Sequence, residues 1–260
     1  MNTRAAAVAG YFYDANANRL QQQVNELLNA ESAGSEALPE ALIVPHAGYI
    51  YSGSTAAYAY RCLLADADQV KRVLLIGPAH RVYVDGMAIP SVDFFETPLG
   101  EITLDRSGLE QIARLPGVQI SDEAHREEHS LEVQLPFLQS VLNEFSLLPV
   151  VVGGASAAEV ATVIDAFNDD PHTLVVISSD LSHFLSYQEA QGVDASTCQQ
   201  IQNHVTTLKG EQACGAAAIN GLMASTRFHA LEVSLLHACN SGDTAGKPNR
   251  VVGYAAFALR

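Results

Sequence analysis

Four apolar runs in this 260-residue chain end in groups that can bind a metal or move a proton. ALIVP (41–45) leads into His46, and VLLIGPA (73–79) into His80. LVVISS (174–179) leads into Asp180 and His183, and VSLLHAC (233–239) into Asn240, Ser241 and Asp243. Neutral imidazoles and a carboxylate are ligands for divalent transition metals. Two His and one carboxylate with open positions make the facial triad of non-haem Fe(II) oxygenases. The same set holding a water serves catalytic zinc. His46 and His80 are therefore candidate metal ligands, with a carboxylate from one of these ends. No local HExxH motif is present, so spacing leaves iron and zinc both open.

Other groups supply candidate acid–base chemistry. His183, three residues after Asp180, is the candidate general base. Asp180 orients it or contacts substrate. His129 opens a predicted helix in REEHSLEVQLPF (126–137). The dipole at a helix start favours a neutral imidazole, able to bond to substrate or stabilise charge on it. Tyr49 and Tyr51, in PHAGYIYSG (45–53), are candidate substrate contacts lining the pocket.

Each group also has a plainer use. His46, His80 and His183 could be structural or exposed histidines, and Asp180 could cap a helix starting at Leu181. Glu127, Glu128 and Glu132 could form a solvated acidic helix start, and Asp243 an ordinary loop. His125, His172, His204, His229 and His237 have no supporting context. Cys239 reads as a small buried hydrophobe.

The elements that must position these groups alternate. Residues 15–29 place Leu20, Val24, Leu27 and Leu28 on one helical face, with Asp14 as a cap. Strands are predicted at 41–49, 70–80, 146–154, 172–180, 229–243 and 250–259. Helices are predicted at 54–65, 129–144 (kinked by Pro136), 156–169, 187–208 and 214–226. The stretch 82–105, broken by Gly and Pro, reads as a β excursion. Several strands are continuous apolar runs, the mark of a sheet covered on both faces. The expectation is one α/β domain over 1–260, with a mostly parallel or mixed central sheet flanked by helices on both faces. In such sheets ligands bind beyond the carboxyl ends of the strands. Four strand ends carrying chemistry would then converge on one crevice.

Composition narrows the partners. Net charge is −15, from 29 acidic and 14 basic residues. No Lys/Arg cluster offers a footprint for nucleic acid or an anionic membrane. No run approaches the length of a membrane span. The N-terminal MNTRAAAVAGYFYDAN lacks the apolar core of a signal peptide, and Cys62, Cys198, Cys214 and Cys239 form no CxxC pair. A cytoplasmic protein with reduced thiols is expected.

The motifs VPHAGYIYSG, IGPAH, FETPLGEITLD, EEHSLEVQLPF, SSDLSHF and SGD…RVVGYAAFAL, in this order, resemble those of the Memo family. Bacterial and archaeal members are also known as AmmeMemoRadiSam system protein B. The resemblance runs from about residue 8 to the C-terminus. It implies a fold like that of the class III extradiol dioxygenases of the LigB type, which use non-haem Fe(II). It implies a vestibule formed by His46, His80, His129 and His183 with Asp180 beside them, and a small-molecule or peptide ligand. Animal members are described as binding iron or copper through two such histidines and a cysteine. That cysteine falls here at Asp243 or Thr244, which favours a carboxylate, so the resemblance implies His46, His80 and Asp243 as the metal ligands. Fe(II) is the expected cofactor, with Zn or Cu as alternatives. The expected activity is that of a metal-dependent oxidoreductase of unknown substrate. The alternatives are a zinc-dependent hydrolase and a non-catalytic binding protein acting with AMMECR-type and radical-SAM partners.

Overall fold

The computed structural model describes residues 2–30 and 37–260. In chain order the elements are β1 (Thr3–Arg4), α1 (Ala17–Asn29), β2 (Ala41–Val44), α2 (Tyr49–Tyr60), β3 (Arg72–Pro78), β4 (Met87–Ile89), β5 (Phe94–Thr97), β6 (Gly100–Thr103), α3 (Arg106–Ile112), β7 (Val118–Ile120), α4 (Asp122–Arg126), α5 (His129–Glu132), α6 (Leu135–Val141), β8 (Ser146–Val152), α7 (Ala157–Asp165), β9 (Thr173–Ser178), β10 (His183–Leu185), α8 (Tyr187–Gln202), α9 (Ala216–Ala224), β11 (Val233–Asn240) and β12 (Val251–Leu259).

Nine strands form one mixed sheet, in the order β10-β12-β2-β9-β3-β8-β4-β7, with β11 paired to β12. The strands β2, β9, β3 and β8 run parallel. β12 is antiparallel to β2, and β4 to β8. The parallel strands are the continuous apolar runs of the sequence: every residue of β2 and β9 is buried. A strand buried on both faces has no solvent side and so no polar alternation. The α/β class and the mixed sheet expected from sequence are what the structure holds. A separate three-stranded sheet, β1-β5-β6, accounts for much of the excursion at 82–105.

Several boundaries differ from the sequence reading. α2 begins at Tyr49, three residues after His46, rather than at Ser54. Asn16, not Asp14, caps α1, and Asp14 pairs with Arg19 instead. The helix expected at 129–144 is two pieces, α5 and α6, with Pro136 in the first turn of the second. A ring without an N–H fits a first turn but not a helix interior.

The N-terminal segment is clamped to α5 by a buried carboxylate. Glu132, fully buried, accepts hydrogen bonds from Arg4 Nη1 (2.6 Å), the Ala7 and Val8 amides (2.8 and 2.9 Å) and Tyr13 Oη (2.5 Å). A buried charge is tolerated only when paired and fully hydrogen-bonded, as here. Burial and Glu132 together push the Tyr13 hydroxyl well above its ordinary range, so it stays a donor. The clamp lays Phe12 against His129, with ring centroids 4.8 Å apart.

Candidate metal centre

β2, β9 and β3 are neighbours in the sheet, so residues just past their carboxyl ends meet. His46 follows β2, Asp180 follows β9 and His80 follows β3. His129, the first residue of α5, reaches in from above β3. Gly77 permits that approach: a Cβ there would sit 2.9 Å from Leu131 and 3.0 Å from Ser130 Oγ. The rings of His46, His80 and His129 lie 4.6–5.4 Å apart between centroids. Each offers one nitrogen within 4.8 Å of the others, close enough to hold one metal ion.

The hydrogen bonds decide which nitrogen each ring offers. Ser178 Oγ donates to the Ser130 carbonyl (2.6 Å) and accepts from Gln134 Nε2 (2.9 Å). Gln134 is itself oriented, since Nε2 donates to the Pro45 carbonyl and Oε1 accepts from Tyr60 Oη. The single Ser178 proton is thus committed. His46 Nδ1, 2.9 Å away, must therefore be the N–H donor. Burial, with His129 and His80 nearby, holds the His46 pKa well below its ordinary value. Its Nε2 consequently carries a lone pair. His80 is fixed in the same sense: its Nδ1 donates to Glu128 Oε1 (2.9 Å) and its amide to Oε2 (2.6 Å). Burial alone would raise the Glu128 pKa. The bonds from His80 and from the Ser130 and His80 amides outweigh it, and the pKa falls to about 2. A carboxylate holding Nδ1–H leaves Nε2 as the free donor atom, the usual outer-shell support of a metal-ligating histidine.

His129 has its pKa lowered to about 4, chiefly by burial. Its Nδ1 lies 3.3 Å from Glu128 Oε1 but makes no hydrogen bond, and that atom is buried without a partner. Two rings with a lone pair on Nε2 and a third with an unpartnered nitrogen, grouped this closely, suit a divalent transition metal.

Around this triad lie a carboxyl group, a fourth imidazole and a thiol. Asp180 Oδ1 accepts the His46 amide (2.8 Å). Burial raises the Asp180 pKa to about 7, against the opposing pull of the His46 and Ala47 amides and His80. Near neutral pH it can exchange a proton. It does not cap a helix, because Leu181 leads into β10. His183 opens β10 half-buried. Burial lowers its pKa, and the charge of His80 lowers it further. Cys214 Sγ lies 3.3 Å from His46 Nε2. Burial, then Asp180, raises the Cys214 pKa to about 12, so it is a thiol. Tyr254, 2 % exposed, comes close to Asp180, Cys239 and Tyr51, and burial with these neighbours keeps its hydroxyl protonated.

The structure does not bring every candidate together. Asp243, a candidate ligand, lies at the same edge of the sheet but belongs to another pocket. Its Oδ1 accepts from Tyr187 Oη and its Oδ2 from the Asn240 amide (2.9 Å). It lines a 360 Å³ cavity between α8 and β11, with Asp194, Cys198 and Cys239. β11 is separated from β2 by β12, which carries its end sideways from the histidines. The residue grouped with His46 and His80 is His129 instead, their ligand atoms lying within 4.8 Å of one another. Tyr49 turns into the core, 4 % exposed, and donates to the Val133 carbonyl (2.8 Å). Tyr51 stays half-buried beside Tyr254.

Sequence reasoning missed Glu128, Ser178, Gln134 and Cys214. Glu128 stands directly before His129, and its bonds to His80 and Ser130 follow from a fold contact that spacing does not reveal. Ser178 had a signal: a serine closing an apolar, fully buried strand needs a polar partner.

The fold and site together define an α/β protein with a three-histidine, metal-capable centre beyond the carboxyl ends of parallel strands. Residues 4–258 match the family described as "Memo-like protein". The chain is 34% identical to a MEMO1 family protein of Aquifex aeolicus, covering 98% of each chain. It is 35% identical to one of Archaeoglobus fulgidus over 99% of each. It is 37% identical to the "Protein memo-1 homolog" of Caenorhabditis elegans, over 70% of this chain and 53% of that one. The chain belongs to the Memo family. Among solved structures, "uncharacterized protein JW3007 from Escherichia coli K12" shares the fold, with a TM-score of 0.51 at 11% identity. That match covers 85% of this chain and 99% of the other. Among the described residues no helix is long and apolar enough to cross a membrane.

Proposed function

We propose that this protein is a metal-dependent oxidoreductase of the non-haem iron type, with His46, His80 and His129 as the protein ligands. The observation that carries the reading is the pair of fixed tautomers, in which Ser178 and Glu128 hold Nδ1–H and leave a lone pair on Nε2 of His46 and His80, within a group whose ligand atoms lie within 4.8 Å of one another. When bound, Fe(II) would supply one-electron and O₂ chemistry, which no protein side chain provides. The chain's own groups do the rest. Asp180 takes or returns a proton near neutral pH, and His183, neutral at that pH, serves as the base. Glu128 keeps His80 oriented. Phe12 and the clamped N-terminal segment shield His129 from water. This assignment agrees with the extradiol-dioxygenase resemblance in ion and in vestibule residues, and replaces the carboxylate ligand with a third imidazole.

The donor set also favours a second reading. Three imidazoles without a carboxylate ligand are the set of a catalytic zinc that activates water for hydrolysis. Anaerobic loading with Fe(II), followed by nitric oxide, separates the two. An iron–nitrosyl EPR signal that His129→Ala abolishes supports the iron reading. Failure to retain Fe(II) while binding Zn tightly supports hydrolysis and overturns the first proposal.

A further inference from the structure

β11 (Val233–Asn240) is the longest edge strand of the nine-stranded sheet. It pairs with β12 alone, while β7 and β10, at the other ends of the sheet, are three residues each. Edge strands are normally blunted by shortness, charge, proline or a bulge. β11 is eight residues long, and its sequence, VSLLHACN, holds neither a charged residue nor a proline. The one device it keeps is a register shift between Leu235 and His237. Glu232 and Arg260 exchange both backbone bonds across the β11–β12 pair. By the alternation of an antiparallel ladder, Leu235 then turns its N–H and C=O to the outer side. Among the described residues nothing bonds to them there, and Leu235 is 37% exposed.

The 360 Å³ cavity between β11 and α8 lies along this edge. A helix packed on a sheet normally turns apolar side chains toward it. Here α8 lines the cavity with Gln191, Asp194, Gln199 and Gln202, and β11 with Leu235 and Ala238. Asp243 closes one end. Asp194, 8% exposed, accepts the Ser182 amide, and Asp243 accepts from Tyr187 Oη and the Asn240 amide. Among the described residues neither carboxylate has a cation partner. Two such carboxylates, in a chain of net charge −15, make the cavity attractive to a cation.

We propose that the outer edge of β11 docks an extended segment of a basic partner protein, which adds to the sheet as a further strand and lays a Lys or Arg side chain in the cavity beside α8. Strand addition draws affinity from main-chain bonds and specificity from pockets that take alternate side chains. Leu235 supplies the first and the cavity the second. A second copy of this chain fits less well, because its β11 brings no cation and its net charge repels. The site is separate from the three histidines and gives a use to Asp243, which they leave free.

Fluorescence anisotropy tests it with three labelled seven-residue peptides. One alternates valine with lysine, and one has glutamine for each lysine. The third is the lysine peptide N-methylated at every residue, which keeps the charge but has no N–H to give a strand. The lysine peptide should bind about tenfold more tightly than either control, the scale of one charge-assisted or one to two main-chain hydrogen bonds. Gln199→Lys, at an exposed position of α8, puts a resident cation in the cavity and should erase the preference for lysine. Leu235→Pro removes the outward N–H without taking a ladder bond, so it should abolish binding while the fold persists. Hydrogen exchange at the Leu235 amide needs no variant, and the lysine peptide should slow it. Equal binding of the lysine peptide and either control, or no binding, overturns the proposal, as does an unprotected Leu235 amide. A peptide-free chain that sediments as a dimer, and as a monomer after Leu235→Pro, would give the edge to a second copy and overturn it too.

Discussion

Replacing Glu128 by Gln tests the support under the histidine centre. The carboxylate is 2% exposed and accepts three hydrogen bonds, from the His80 amide (2.6 Å), His80 Nδ1 (2.9 Å) and the Ser130 amide (2.9 Å). The last caps α5, whose first residue is His129. An amide of the same shape keeps one acceptor oxygen and turns an NH₂ toward a donor. Losing a helix cap costs about 1 kcal/mol. Losing one charge-assisted bond costs about 1.5–3 kcal/mol more. Metal-free Glu128→Gln should therefore unfold in urea with about 3 kcal/mol less stability. The second effect falls on the metal. With its carboxylate gone, His80 is free to rotate or to change tautomer. Outer-shell substitutions of this kind cost roughly 10–100-fold in metal affinity. Competition against a chelator measures that affinity. Affinity within twofold of the parent, in a variant where His80→Ala abolishes binding, would refute the role given to Glu128.

Glu132→Gln leaves Arg4 buried without its ion-pair partner and should cost about 3–5 kcal/mol. Limited proteolysis should then cut ahead of Arg19, and parent-like resistance there would count against the clamp. Gly253→Ala places a Cβ 2.0 Å from Asp194 Oδ2, displacing the carboxylate that accepts the Ser182 amide (3.0 Å). It should destabilise by about 2–4 kcal/mol. Gly192→Ala, on exposed α8 with nothing within 4 Å, should instead stabilise by about 1 kcal/mol. Equal effects in urea melts would contradict this contrast. Stability should also depend on pH. Burial lowers the pKa values of His46, His125 and His129, the latter two to about 4, so the stability they add is present above their unfolded value of 6.5. That stability is lost as pH falls from 6.5 toward 4. Asp180, raised to about 7, acts in the opposite sense over the same range and offsets one histidine. The net expectation for metal-free protein is a loss of about 3 kcal/mol between pH 6.5 and 5. A flat or rising urea midpoint across that interval would contradict it.

The sheet was legible because its central strands are buried on both faces and read as unbroken apolar runs bounded by Gly and Pro. The site was legible in part because ligands in open α/β sheets gather past strand ends. That rule found His46, His80, Asp180 and His183. It also drew in Asp243, since a sequence does not show that β12 inserts between β11 and β2. Tyr49 looked like a pocket residue because it follows His46 closely, but α2 starts there and its first turn faces Phe137. His129 appeared as a helix-start imidazole, and its place beside His46 and His80 depended on the close approach allowed by Gly77. Glu128 read as surface charge because acidic residues at helix starts usually are. β10 is three residues long with a bulge inside it, too short for any period to register.

The most direct measurement is the metal content of anaerobically prepared protein after Fe(II) addition and removal of excess ion, with X-ray absorption at the iron edge. The account predicts one iron per chain, bound by imidazole nitrogens, and its loss in each of His46→Ala, His80→Ala and His129→Ala while Asp243→Ala keeps it. Iron retained by the three histidine variants, or lost from Asp243→Ala alone, would contradict it.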